Sequence, residues 1–80
     1  MRTKTAHKKF EKQRFAVSRY FRELRYAEQL SQSEVGAGTG LSRNTILNIE
    51  NSKNFEILTL FRLCEYYQIP ASELLSIIDE

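Results

Sequence analysis

The chain has 80 residues, 41% hydrophobic and 28% charged, which fits one small folded domain rather than a disordered tail. A chain of this size buries one modest core, too little for a large enclosed substrate cleft, and no run approaches the ~20 apolar residues needed to span a bilayer. The net charge of +2 conceals a skew: residues 1–25 carry nine Lys or Arg against Glu11 and Glu23, a net +7, whereas residues 26–80 are net −5. Such a skew suits a polyanionic partner, nucleic acid first, and it also suits a solvated basic surface. The start, Met1 to Lys9, is basic with no apolar stretch behind it and does not read as a secretory signal. Cys64 stands alone, so neither an internal disulfide nor a thiolate zinc cage is expected, and these features together predict a cytoplasmic protein.

Residues 1–14 read as a basic arm or helix extension, and residues 15–80 as the domain proper. Phe10, Val17, Phe21 and Leu24 recur at spacings of seven, four and three, which predicts a helix between Phe10 and Gln29 with those residues on its core stripe. Its opposite face holds Lys8, Lys12, Phe15, Arg19, Arg22 and Tyr26, a cationic strip with interleaved aromatics that suits a phosphate backbone, a protein partner or plain solvent. Ser31 followed three residues later by Glu34 forms a capping box, so a second helix starts near Gln32. Gly38-Thr39-Gly40 limits that helix to about two turns.

Ser42 caps a third helix over residues 43–50, which Asn51-Ser52-Lys53-Asn54 ends; Asn54 is a candidate cap for the next. From Phe55 the pattern is helical again, with Ile57, Leu60, Phe61, Cys64 and Tyr67 assigned to one face. Ile69-Pro70 breaks it, and Pro70 suits the first turn of a last helix, Ala71 to Ile78. No segment alternates with period two. The sequence predicts an all-α, five-helix fold.

The informative stretch is residues 32–50: two short helices joined by a tight turn. Gly40 permits the turn, Gly36 lets the second helix cross closely, and Val35, Leu41, Ile46 and Ile49 anchor that helix from below. Its outward face is then free for a major groove. Cys64 reads as a core filler and His7 as solvated. The sequence contains no Ser/His/Asp set, metal-spaced cluster or phosphate-cradling glycine loop, so no catalysis, metal or cofactor is expected.

Gln32, Gly36, Gly40, Ile46 and Ile49 match positions 1, 5, 9, 15 and 18 of the 20-residue helix-turn-helix pattern. With Leu24-Arg25, Leu30-Ser31, Leu41-Ser42, Thr45, Glu50-Asn51, Lys53 and the tail Tyr67 to Leu75, the chain resembles Cro/phage-repressor-type regulators over residues 17–78. These are the lambda-repressor-like, or xenobiotic-response-element-type, domains. It departs from them in Ser52, where glycine is usual, in a short loop before Phe55 without the frequent proline, and in the basic extension up to Arg14.

The resemblance implies a sequence-specific DNA-binding regulator, most simply a repressor acting as a homodimer on a near-palindromic operator in double-stranded DNA. The alternative is a protein-interaction module on the same fold, such as an antitoxin bound to its toxin or a domain that binds another regulator. Residues 43–50 would be the recognition helix, with Arg43, Asn44, Leu47 and Asn48 turned toward base edges. Gln32 matches the family glutamine that touches phosphate and braces that helix, and Ser42, Thr45, Asn51 and Lys53 are further phosphate candidates. Arg25 and Glu50 match a structural ion pair between the first and recognition helices. Leu75 or part of Ile77, with Tyr66, remains for a dimer contact.

Overall fold

The computed structural model describes residues 10–53 and 56–79. Five α-helices and no strands are found among them: α1 Glu11–Ala27, α2 Gln32–Thr39, α3 Arg43–Glu50, α4 Ile57–Tyr66 and α5 Ala71–Ile78. His7, Lys8, most of the basic arm, the Asn54 cap and Phe55 lie outside the described residues.

Helix α1 supplies Val17 and Phe21 to the core, with Leu24 packed at its edge. Phe10, expected on the same stripe, is 54% exposed. It stands about 10 Å along the helix from Val17 at 1.5 Å per residue, beyond the last core layer. Helix α2 begins in the expected capping box: the Ser31 hydroxyl accepts from the Glu34 amide at 3.0 Å, and the Glu34 carboxylate accepts from the Ser31 amide at 2.7 Å. It continues through Gly38 and Thr39 and stops at Gly40, whose φ of 76° is left-handed backbone.

Gly36 governs how α2 meets α3. A Cβ there would lie 2.9 Å from the Leu41 carbonyl oxygen, so the crossing closes only over a hydrogen. Helix α3 then presses Ile46 and Ile49 onto Val35, Phe21 and Leu63 in one cluster completed by Val17, Leu60, Cys64 and Leu74.

Helix α4 turns differently from expectation. Thr59, Leu60, Leu63 and Cys64 are buried and Tyr67 is half-buried, whereas Ile57 and Phe61 are exposed. The buried stripe sits about a quarter-turn away from the expected one, with Thr59 and Leu63 buried in place of Ile57 and Phe61 as the helix packs against α2 and α5. Tyr66 is not free either: its ring lies directly over Gly38, where any side chain would collide with it, and it packs edge-on against Tyr67. Pro70 occupies the cap position before α5 instead of its first turn. On α5, Leu74 is buried, Ile77 and Ile78 are half-buried, and Leu75 is exposed.

Candidate nucleic-acid interface

The C-terminal end of α3 is held by a line of polar side chains on α1. Ser18, Arg22 and Arg25 follow at i, i+4 and i+7, so they share one face of that helix. Buried Ser18 donates from its hydroxyl to the Ile49 carbonyl at 2.5 Å, and Arg22 Nη1 donates to the Glu50 carbonyl at 3.2 Å. Arg25 engages the Glu50 carboxylate in a two-point fork, Nε to Oε2 at 2.7 Å and Nη2 to Oε1 at 2.9 Å, and donates from Nη1 to the Leu30 carbonyl at 2.9 Å.

Both members of this ion pair are nearly out of solvent, with side-chain exposures of 11% and 5%. The hydrogen bond to Glu50 drives the Arg25 pKa further above its ordinary value, so the guanidinium stays charged. Gln32 Nε2 adds a third donor to Glu50 Oε1 at 3.2 Å from the first residue of α2. Glu50 thus joins α1, α2 and α3 at one point. Burial, with Glu50 nearby, pushes the Tyr67 hydroxyl up to about 12.

Ser52 occupies the place where glycine is usual and still takes the left-handed backbone, with φ of 63°. Its hydroxyl donates to Ser18 Oγ at 2.9 Å, which ties the turn after α3 to the same line on α1. The positions of Ser18, Arg22 and Ser52 in this network were not read from the sequence. The 18/22/25 spacing of polar residues beside a buried carboxylate was the available signal.

The other face of α3 is built differently. Arg43 and Asn44 are exposed, and Leu47 and Asn48 are half-buried on the rim. The side chains of Arg43, Asn44 and Asn48 make no hydrogen bond or ion pair among the described residues. Ser42 caps the helix by accepting from the Thr45 amide at 3.0 Å, and its hydroxyl is 2.9 Å from that of Thr45. Asn51 and Lys53 are exposed just past the helix end. Arg43, Asn44 and Asn48 therefore project from a helix whose inner face is buried and whose far end is clamped.

Beside that far end lies an open groove of about 860 Å³, lined among others by Lys12, Phe15, Arg19, Arg22, Asn51 and Ser52. The cationic strip of α1 thus adjoins the exit of α3. No helix among the described residues is long and apolar enough to cross a membrane.

A family model described as Helix-turn-helix matches residues 17–74. The chain is also 36% identical over 56 residues to the cryptic phage CTXphi transcriptional repressor RstR of Vibrio cholerae, an alignment covering 69% of this chain and 50% of that protein. The chain thus spans about half the length of this curated relative. The capped pair α2–α3 crossing over Gly36, the Arg25–Glu50 brace and the matched residues agree: this chain belongs to the Helix-turn-helix family, in its Cro/phage-repressor, lambda-repressor-like form.

Proposed function

We propose that this protein is a sequence-specific DNA-binding transcriptional regulator, a repressor that acts as a homodimer on a near-palindromic operator. The observation that carries this reading is the outward face of α3: Arg43, Asn44 and Asn48 without side-chain hydrogen bonds or ion pairs among the described residues, on a helix fixed at its far end by α1. The family consists of DNA-binding regulators rather than enzymes, and the relative named above is a transcriptional repressor, which supports the same reading.

In a major groove, Arg43 is suited to bidentate pairing with guanine O6 and N7, and Asn44 or Asn48 to the N6 and N7 of adenine. Leu47 is suited to a thymine methyl. Gln32, Ser42, Thr45, Asn51 and Lys53 would meet phosphates, fixing register without carrying sequence information. Ser42 and Thr45 already share a hydrogen bond, so their hydroxyls would reach phosphate as a pair, and Gln32 would do so while holding Glu50. Lys12 and Arg19 extend the basic surface along α1. Two copies would set their α3 helices in successive major grooves about 34 Å apart.

The test is in vitro selection of bound DNA, followed by titration at several salt concentrations. The reading expects a two-fold consensus and an affinity that falls by several powers of the salt concentration, at roughly 0.9 per neutralised phosphate. Asn48→Ala should relax preference at one base step in each half-site. The protein-interaction reading expects the opposite: no consensus, and binding indifferent to Arg43 and Asn48.

A further inference from the structure

The outer face of α4 has no role in the reading above and carries a cluster of exposed large apolar side chains. Ile57 is 55% exposed, Leu58 70% and Phe61 45%, three large apolar side chains on one ten-residue helix. Leu58, Phe61, Arg62 and Glu65 follow at i, i+3, i+4 and i+7, so they form one continuous stripe opposite the buried Leu60–Leu63–Cys64 side. An open groove of about 570 Å³ runs beside it, from Leu58 and Phe61 to Ile69 and Ala71 at the start of α5. By contrast, the exposed aromatics of α1 are separated by Lys12, Arg19 and Arg22, and Leu75 on α5 stands beside Ser72 and Asp79.

We infer that this face of α4 is where two copies of the chain join, an inference that rests on the homodimer reading and gives it a surface. Two observations select a second copy as the occupant. Residues 56–79 carry Glu56, Glu65, Glu73 and Asp79 against Arg62 alone, so DNA is excluded as the occupant of this side. The stripe itself holds one charge of each sign three residues apart, and Glu65 has no ion-pair partner among the described residues. A two-fold axis that crosses one α4 over another midway between Arg62 and Glu65 sets each Arg62 against the other copy's Glu65 and brings each Leu58 to the Ile69 end of the other copy's groove. Such a face is complementary to itself.

Arg62 also donates to the Thr39 carbonyl at 3.2 Å, at the end of α2. The joined face is thereby tied to the helix-turn-helix unit, which fixes the relation between the two α3 helices. Of the residues the sequence offers for this contact, Tyr66 is packed on Gly38 and Ile77 leans into the core, while Leu75 is 61% exposed and is the competing surface.

The experiment is sedimentation equilibrium of the full chain without DNA, on the wild type and on Leu58→Glu/Phe61→Glu. Circular dichroism checks that both are equally helical, as is expected for exposed positions. The wild type should show a concentration-dependent monomer–dimer equilibrium, and the double variant should weaken it by at least ~30-fold, the scale of losing a central apolar anchor. Glu65→Arg should weaken it about threefold and Arg62→Glu/Glu65→Arg should recover most of that loss. A wild type that stays monomeric at all concentrations overturns the inference. So does a dimer indifferent to Leu58 and Phe61, or one broken instead by Leu75→Glu. DNA plays no part in the measurement, so failure of the DNA reading would show separately, as a selection without consensus.

Discussion

The two sides of α3 differ in what their polar groups do. At the inner end, Glu50 receives three donors from Arg25 and Gln32, and the Ile49 and Glu50 carbonyls receive Ser18 and Arg22. On the outer side, Arg43, Asn44 and Asn48 make no side-chain hydrogen bond among the described residues. The first group is nearly out of water, where an unpaired charge would be costly, so each member must be satisfied within the fold. In the second group Arg43 and Asn44 are exposed and Asn48 is half-buried on the rim, so water reaches them until an external partner does. A recognition surface of this kind needs both: rigid support from behind and unspent donors and acceptors in front.

Removing Glu50 should break that contrast most severely. Glu50→Ala leaves Arg25 buried without its carboxylate and should cost ~3–5 kcal/mol, a large part of a marginal domain's stability. Urea denaturation followed by circular dichroism reads this directly, and a cost below about 1 kcal/mol would mean that the pair is structurally idle. Arg43→Ala or Asn44→Ala should do the reverse. Stability stays within about 0.5 kcal/mol, while discrimination between the preferred and a substituted base falls by ~1–3 kcal/mol in competition titrations.

Ser18→Ala sharpens the comparison at a single hydrogen bond. It leaves the Ile49 carbonyl and the Ser52 hydroxyl without their partner, and a loss of ~1–2 kcal/mol is expected from thermal melts. Ser52→Gly is the control, since glycine keeps the left-handed backbone without strain while losing only the hydroxyl contact.

A pH-dependent effect concerns Tyr67. Its folded-state pKa, about 12, lies above the ordinary 10, so the neutral hydroxyl is favoured by folding. That contribution is complete below pH 10 and is lost as the pH rises from there toward 12. Melting temperature should therefore fall over that range, and more shallowly in Tyr67→Phe.

Much of the architecture was legible in the sequence because local chemistry wrote it there. Ser31 with Glu34, Ser42, Gly40 and Pro70 each fix a helix end through groups within four residues, and period located the first and fourth helices. Gly36 was readable for a related reason: a glycine inside a helix calls for a close neighbour, and the Leu41 backbone is that neighbour. The family resemblance rested on these same local signals, and the matched range of residues 17–74 follows them.

What the sequence could not decide was which way each amphipathic helix turns once it meets the others. Both Phe61 and Leu63 are apolar, and only packing against α2 and α5 chose Leu63 for the core and left Phe61 outside. Phe10 continued a valid stripe that the core is too short to reach. Ser18 became a ligand of α3 only because α1 crosses the Ile49 carbonyl there, a contact 31 residues away along the chain. Capping and periodicity are short-range and survive in a linear reading. Burial and long-range hydrogen bonds belong to the assembled body, and only the tertiary structure assigns them.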